Sequence, residues 1–278
     1  MTSSGQGGGF FVASHEILDY SSQKEKEKFI VNKMVVKIGS STITEGGSRV
    51  DVQFINDIAR QASMLFNAGV RIAIVSSGAV DSGNFLISRS GKDSQSRKTA
   101  ALFGQTELTA KWTTAFERCK VMVGVHLISE NDLEKAKEFL SDEVMNIGVL
   151  VFNGYDAVND SSEEARSRMV TADNDRLAVF ISRSINADTS IFLTDVDGVL
   201  DEKGSTVSFV DRLEDIEDII TVKGNGMGGM WGKCIEAKLL ARDGQRSIIA
   251  NGKTNDVLLR IAKGENLGTR FGRGWMLY

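Results

Sequence analysis

The sequence of 278 residues contains no proline, although average usage of about 5% predicts about 14. Proline normally fixes turns and terminates helices, so we expect its positions to be taken by glycine, which occurs 28 times. We interpret this complete absence as the result of selection on the composition or of its deliberate engineering.

Cysteine is also scarce. The two cysteines, Cys119 and Cys234, lie far apart, without a CxxC pattern and without a neighbouring histidine. This spacing indicates neither a disulfide framework nor a zinc site. We therefore expect a protein of the reducing cytoplasm.

Long apolar runs and an excess of basic charge are absent as well. No apolar run approaches the roughly 20 residues of a membrane span, and the first residues lack the basic start and apolar stretch of a signal peptide. The formal net charge of −4 leaves no broad basic surface for nucleic acid. Apolar residues at 41% and charged residues at 25% are typical of soluble globular proteins. We predict a soluble protein with neither a nucleic acid nor a membrane partner.

The chain divides into a short leader and one large domain. Residues 1–28 combine a Gly/Ser-rich start with the charge run KEKEK, which predicts a mobile leader. From residue 29 to 278, β-branched strands alternate with amphipathic helices, which predicts an α/β domain with a mainly parallel sheet covered on both faces. The local patterns predict strands over 34–38, 71–76, 121–128, 148–154, 190–194 and 246–252, helices over 51–68, 99–118, 131–146, 173–184, 231–243 and 254–262, and a hairpin around Gly268.

The glycine-rich stretch GNGMGGMWGK, residues 224–233, predicts an anion site. It is not a Walker A loop, because Met227 stands where a glycine is required and Cys234 replaces the hydroxyl residue. A glycine loop that ends in Lys233 at the start of a helix offers free N–H groups and a positive helix dipole. The alternative is a solvent loop between two elements.

A second lysine and several carboxylates follow the ends of strands. Lys37 lies in the last turn of the first strand, where its burial is costly unless it meets an anion; the alternative is an edge lysine that reaches solvent. The residues Asp173, Asn174 and Asp175 open a helix, and we expect one of them to be its N-cap. A carboxylate between two lysines would hold both ammonium groups where a transferring phosphoryl group needs its charge neutralised.

Seven segments in a fixed order carry a resemblance to a known family. They are VVKIGSSTIT (35–44), IVSSGAVDSG (74–83), GQTELTAKW (104–112), ADND (172–175), FLTDVDGVL (192–200), GMGGMWGK (226–233) and GTRF (268–271). Together they resemble the amino acid kinase family, and most closely its members that phosphorylate glutamate. The family's fold is a three-layer α/β/α sandwich with a mainly parallel sheet, which agrees with the pattern of strands and helices.

The resemblance implies a reaction and its partners. The expected reaction transfers the γ-phosphoryl group of ATP to the γ-carboxylate of L-glutamate, with Mg²⁺ bridging phosphate oxygens, as the first step of proline synthesis. Family members form dimers or tetramers and are inhibited by proline, and we expect no C-terminal RNA-binding-like domain here. An enzyme of proline synthesis that contains no proline could be translated under proline starvation.

The resemblance also implies the roles of individual residues. Lys37 and Lys233 would neutralise the transferring group, and Asp175 would orient both lysines. Ser77, Asp156 and Asn174 would hold glutamate, with Asp156 paired to its amino group. No protein ligand of the metal is assigned. The implied nucleotide-binding residues are Lys37, Gly39, Ser40, Gly78, Thr194, Asp195, Met227, Gly228, Gly229, Met230, Trp231, Gly232 and Lys233.

Two departures from the family pattern keep alternatives open. Residues 153–156 are Asn-Gly-Tyr-Asp where the family usually has Asn-Glu-Asn-Asp, and Met227 and Gly232 replace hydroxyl residues. The alternatives are a kinase for another small acid or phosphate, and a catalytically weak domain that senses an amino acid or a nucleotide.

Overall fold

The computed structural model of the chain describes residues 29–45, 49–88, 93–159, 170, 173–217 and 229–272. The strands in these ranges are β1 Lys33–Ile38, β2 Thr44–Glu45, β3 Arg49–Val50, β4 Arg71–Ser76, β5 Val123–Ile128, β6 Val149–Gly154, β7 Thr189–Thr194, β8 Phe209–Val210, β9 Arg246–Asn251 and β10 Thr269–Phe271. The α-helices used below are α1 Ser40–Ile43, α2 Val52–Asn67, α3 Ala79–Leu86, α4 Ser94–Arg118, α5 Leu133–Phe139, α6 Asp142–Ile147, α7 Asn174–Ser184, α8 Met230–Arg242 and α9 Val257–Ala262.

The main sheet has eight strands in the order β5-β6-β4-β1-β7-β9-β10-β8. All neighbouring strands run parallel except β10, which is antiparallel to β9. The chain leaves β1 towards β4 on one side and later returns as β7 on the other, so the strand order reverses at β1. Ligands of such sheets bind beyond the carboxyl ends of the strands at this reversal.

Helices cover both faces of the sheet over two apolar cores, as the sequence pattern predicts. Along β1, Met34, Val36 and Ile38 face the core under α2, α4 and α9. Val35 faces the opposite core, under α7 and α8. Successive side chains of a strand point to opposite faces, so Lys37 points to the same face as Val35. This alternation aims Lys37 at the layer that contains α7 and α8.

The predicted single helix over 131–146 is wrong. The segment forms α5 and α6, preceded by a 3₁₀ turn at Glu130–Asp132 and interrupted at Leu140. Ser141 is the N-cap of α6, and its side chain accepts a hydrogen bond from the backbone N–H of Val144. The cap starts a new helix, because a serine hydroxyl bonded to the backbone in this way competes with continued helix. The spacing of the apolar residues in this segment continues through the interruption, so the sequence pattern does not reveal it.

The predicted C-terminal hairpin around Gly268 is also wrong. Strand β10 pairs antiparallel with β9 and parallel with β8, so it extends the main sheet. Gly268 has a φ of 68°, and a Cβ atom there would overlap the carbonyl oxygen of Ile249. The absence of a side chain at Gly268 therefore allows β9 to approach closely. The glycine does not form the turn of a local hairpin.

Helices α3 and α4 pack with their backbones in direct contact. A Cβ atom on Gly83 would overlap the carbonyl group of Ala100, and one on Gly104 would overlap the carbonyl oxygen of Ala79. The two glycines remove the side chains that normally separate helices. Because α3 begins at the carboxyl end of β4, this contact fixes the first half of α4 above the same edge of the sheet.

Some predictions concern residues outside the described ranges: the leader over 1–28, and Met227 and Gly228 of the glycine-rich stretch. Within the described ranges, no helix combines the length and the apolar character that crossing a bilayer requires.

Candidate active site

Two lysines and one aspartate form a buried ion cluster at the carboxyl edge of the sheet. The Nζ atom of Lys37 lies 2.7 Å from Oδ1 of Asp175, and the Nζ atom of Lys233 lies 3.5 Å from Oδ2. The side chains of Lys37, Asp175 and Lys233 are 7%, 5% and 14% exposed. One carboxylate therefore holds two ammonium groups that come from β1 and α8.

The local structure of α7 explains why the Asp175 carboxylate is available. Asp173 is the N-cap of the helix, and its side chain accepts a hydrogen bond from the N–H of Asp175 at 2.9 Å. One of the three polar residues over 173–175 thus caps the helix, which is the role expected for one of them. Asp175 lies in the first helical turn with its side chain directed at Lys37.

Burial and the neighbouring charges both shift the pKa values of the cluster. Burial lowers the pKa of Lys37, the Asp175 carboxylate opposes this, and Lys233 adds to it. Burial by itself raises the pKa of Asp175, but the two ammonium groups outweigh it and hold that pKa below its usual range. With both lysines protonated the cluster carries one net positive charge, so a bound anion would complete it.

A polar cleft of about 400 Å³ opens at the ion cluster. Helices α3 and α7 begin at its wall, and their free N–H groups favour an anion. The described residues that line it are Lys37, Gly39, Ser40, Ser41, Ser77, Gly78, Ala79, Val80, Asp81, Arg97, Asp156, Asp173, Asn174, Asp175 and Lys233. The structure thus brings together both predicted lysines, Asp175 and the three predicted glutamate-binding residues. Three further predicted nucleotide-binding residues, Gly39, Ser40 and Gly78, line the same cleft.

Two glycines of the cleft differ in whether the structure requires glycine at their position. Gly78 is the N-cap of α3 with a φ of 102°, and a Cβ atom there would lie 2.7 Å from Cγ2 of Ile43. Both the conformation and the space therefore require glycine. Gly39 has a φ of −75°, and a Cβ atom there would make only ordinary contacts, the nearest at 3.7 Å from Nζ of Lys37. Neither the backbone conformation nor the available space therefore requires glycine at position 39.

A chain of amides fixes Asn174 beside Ser77. The Nδ2 atom of Asn174 donates to Oγ of Ser77 at 3.0 Å and to Oδ1 of Asn153 at 2.9 Å, while its Oδ1 accepts from the N–H of Gly154 at 3.2 Å. Asn153 in turn donates to Oε1 of Gln105 at 2.7 Å. Because the Ser77 oxygen accepts from Asn174, its hydroxyl hydrogen is available to a ligand.

Asn153 and Gln105 were not among the predicted site residues. The signals were present in the sequence, since Asn153 stands at the end of a β-branched strand and Gln105 lies in the segment GQTELTAKW. Neither position could be paired with Asn174 without the three-dimensional structure.

Asp156 lies where two cavities meet. It lines the cleft of the lysines and also a neighbouring, more apolar cavity of about 330 Å³ between α4 and the end of β6. Its carboxylate is therefore placed on the β6 side of the cleft, across from α8.

The predicted nucleotide-binding residues Thr194 and Asp195 lie at the carboxyl end of β7. Thr194 is buried and donates to Oδ1 of Asp195 at 3.1 Å, whereas Asp195 is exposed. Neither is among the described residues that line the lysine cleft. A separate cleft of about 280 Å³ lies beyond the ends of β7 and β9, with Asp197 and Asn251 in its wall.

The end of the glycine-rich stretch is helical. Gly229 is the N-cap of α8, and Met230, Trp231 and Gly232 form its first turn. The N–H of Lys233 bonds to the carbonyl of Gly229 at 3.4 Å, so Lys233 is the fourth residue of the helix. Trp231 packs partly against the core beneath α8.

The donor set of the cleft suits phosphate better than a metal held by protein alone. In the part of the chain that the structure describes, no group of three or more His, Cys, Asp or Glu side chains is placed to hold a metal ion. Both oxygens of Asp175 face lysines. Two ammonium groups and helix N-termini are instead the usual partners of a phosphate.

Comparisons with known proteins identify the family of the chain. The model of the amino acid kinase family matches residues 32–251. The glutamate 5-kinase of Caldanaerobacter subterraneus subsp. tengcongensis is 28% identical over 86% of this chain and 67% of its own length. The corresponding enzymes of Haemophilus influenzae and Acinetobacter baumannii are 30% and 31% identical, again over 86% of this chain, and over 68% and 66% of their own lengths. The chain thus spans about two thirds of the length of these relatives.

A solved structure supports the fold alone. The UMP kinase of Bacillus anthracis superimposes with a TM-score of 0.58 at 17% identity, and the match covers 87% of this chain and 96% of that one. The family model matches more than half of the chain, and the relatives are similar over 86% of it. This chain therefore belongs to the amino acid kinase family.

Proposed function

We propose that this kinase transfers the γ-phosphoryl group of ATP to the γ-carboxylate of L-glutamate. The product would be L-glutamyl 5-phosphate, the first intermediate of proline biosynthesis. The observation that carries the proposal is the convergence of Lys37 and Lys233 on Asp175 at the edge of a polar cleft. Similarity to glutamate 5-kinases supports glutamate as the acceptor.

The ion cluster suits the charge that develops during phosphoryl transfer. Negative charge spreads over the three equatorial oxygens of the transferring group, and fixed cations stabilise it without reorganisation. Lys37 and Lys233 would supply these cations, and Asp175 holds both ammonium groups in position. The burial of all three side chains strengthens the interaction, since few water molecules screen it.

Glutamate would be held on the side of the cleft formed by β4 and β6. The Asp156 carboxylate would pair with the substrate ammonium group, and the Ser77 hydroxyl, oriented by Asn174, would donate to the substrate. A γ-carboxylate oxygen forms the new O–P bond while the bond from the γ-phosphorus to the bridging oxygen of ADP breaks. Because the γ-carboxylate is already ionised near pH 7, the step needs no general base.

The nucleotide would lie against the turns that follow β1 and β7. Gly39, Ser40 and Gly78 would supply N–H groups, with residues 229–232 at the start of α8 and Thr194 and Asp195 on the β7 side. Mg²⁺, when bound, neutralises charge on the β- and γ-phosphate oxygens. By family likeness we also propose a cytoplasmic homo-oligomer that proline inhibits.

Trapping of the acyl phosphate tests the proposal. With ATP, Mg²⁺, L-glutamate and hydroxylamine, the purified chain is expected to form glutamyl hydroxamate, and omission of ATP should abolish it. Aspartate and N-acetylglutamate serve as competing acceptors, and phosphorylation of UMP is followed separately. If the enzyme turns over only another acceptor, that acceptor is the substrate and glutamate is not. Binding of ligands without any turnover would favour a sensing domain.

The pH profile tests the role of Asp175. The carboxylate opposes the lowering of the Lys37 pKa by burial, so Asp175→Asn should lower that pKa further. As pH rises through the pKa, Lys37 loses its charge; the alkaline fall of kcat/KM is therefore expected to begin at a lower pH in the variant. Initial rates of ADP release between about pH 6 and 10 would show the shift, because kcat/KM reports ionisations of the free enzyme. An unchanged alkaline limb would contradict this role.

A further inference from the structure

Arg97 is a cation of the cleft that the phosphoryl-transfer cluster does not use. It is the fourth residue of α4 and lines the same cleft as Lys37 and Asp156. Its Nε atom is shielded from solvent, and among the described residues it has no hydrogen-bond partner. Leaving such a shielded donor unpaired is energetically costly, so a guanidinium in a binding cleft points to an acceptor on the ligand.

The fold places Arg97 on the acceptor side of the cleft. The sheet order is β6-β4-β1-β7, so Ser77 after β4 and Asp156 after β6 lie on one side of β1, and β7 lies on the other. Helix α4 packs directly on α3, which begins at Gly78 after β4. Arg97 therefore belongs to the side with Ser77 and Asp156, away from the nucleotide side beyond β7.

Of the three charged groups of glutamate, one has no partner assigned so far and could bind Arg97. Glutamate carries a γ-carboxylate, which reacts near Lys37 and Lys233, an ammonium group, which suits Asp156, and an α-carboxylate. A guanidinium fork matches a carboxylate in a bidentate arrangement. The cleft wall also carries the carboxylates of Asp81 and Asp173, which would repel the α-carboxylate.

We infer that Arg97 binds the α-carboxylate of the acceptor amino acid. The inference rests on the proposed function and adds a specificity determinant to it. Arg97 would select amino acids with a free α-carboxylate over analogues that carry only the reacting carboxylate.

A comparison of two acceptors with two enzymes tests the inference. L-Isoglutamine keeps the γ-carboxylate and the ammonium group of glutamate but has an α-carboxamide. Arg97→Gln is expected to raise the KM for glutamate about 10- to 100-fold, the usual range for charge-assisted hydrogen bonds, with little change in kcat. The kcat/KM for isoglutamine and the KM for ATP should stay within about threefold of the wild type, and Arg97→Lys should recover part of the glutamate affinity.

Matched measurements separate this role from others. Lys98→Gln removes a positive charge from the next position of α4 and should leave all constants unchanged. Retained turnover of isoglutamine by Arg97→Gln shows that the variant is folded. An equal loss with both acceptors, a rise only in the KM for ATP, or a wild type that does not prefer glutamate to isoglutamine would overturn the inference. A wild type that turns over neither acceptor would instead refute the proposed function, and the inference with it.

Discussion

Replacement of Lys37 by methionine is expected to lower kcat at least 100- to 1,000-fold, about the effect of removing one preorganised group that stabilises transition-state charge. Methionine keeps much of the length and apolar volume of the lysine stem and removes only the ammonium group. Lys233→Met should have a similar effect, because both lysines would neutralise the same phosphoryl oxygens. Steady-state ADP release with glutamate as acceptor measures the loss.

A lysine at the other end of the same strand provides the matched control. Lys33 begins β1, its side chain is 25% exposed, and it pairs with Asp142, whose side chain is 72% exposed. Lys33→Met should retain near wild-type kcat, since this ion pair lies at the opposite end of the strand from the cleft. Turnover within about tenfold of the wild type for either Lys37→Met or Lys233→Met would contradict the account.

The free energy of unfolding of the same variants has to be measured as well. Removing one partner of a buried ion pair can cost about 3–5 kcal/mol, although in Lys37→Met the Asp175 carboxylate keeps Lys233 at 3.5 Å. The double variant Lys37→Met/Asp175→Asn also removes the carboxylate that holds Lys233, leaves that buried ammonium group without its partner, and should therefore lose further stability. Inactive but folded protein in both cases would assign the effect to catalysis.

Replacement of Gly104 by alanine is expected to destabilise the fold by more than about 3 kcal/mol, at the severe end of point mutations. The new Cβ atom would overlap the carbonyl oxygen of Ala79, a backbone atom that cannot turn aside. Relief requires α3 and α4 to separate, which would also displace the start of α3 at Gly78 from the cleft. Urea denaturation measures the change in the free energy of unfolding.

Gly124 in β5 is the control for this prediction. A Cβ atom there would meet only Cδ2 of Leu150, at 3.1 Å, and that methyl group ends a flexible side chain. Gly124→Ala should therefore change the free energy of unfolding by less than about 1 kcal/mol, and the higher strand propensity of alanine favours it. Similar losses in Gly104→Ala and Gly124→Ala would show that the contact between α3 and α4 does not have the assigned importance.

Local pattern was sufficient to predict the layers and to place Lys37 at the end of β1, but it left open whether the side chain is buried or reaches solvent. Alternation along β1 fixes which face each side chain takes, and the amphipathic spacing of α2 needs only its own sequence. The same reasoning failed at Ser141, because a side-chain cap interrupts a helix without changing its apolar spacing. It also failed at Gly268, whose conformation depends on contact with Ile249 in β9, a strand that is separated from it in the sequence by α9.

The ion cluster required information beyond local pattern. A carboxylate in the first turn of a helix has the same local signature whether it caps the helix, as Asp173 does, or binds lysines, as Asp175 does. The likeness to a family supplied the pairing of Asp175 with Lys37 and Lys233. Arg97 had only a weak signal. The buried residues at helical spacing from it, Ala100, Ala101 and Gly104, are small, whereas the larger Leu102 and Phe103 are exposed, so the sequence does not show which face turns inward.

A crystal structure with a non-hydrolysable ATP analogue, Mg²⁺ and L-glutamate would test the central claim most directly. The account predicts the Nζ atoms of Lys37 and Lys233 within hydrogen-bond distance of oxygens of the terminal phosphate, with the glutamate γ-carboxylate facing its phosphorus atom. A terminal phosphate bound away from both lysines, with their contacts to Asp175 unchanged, would contradict it.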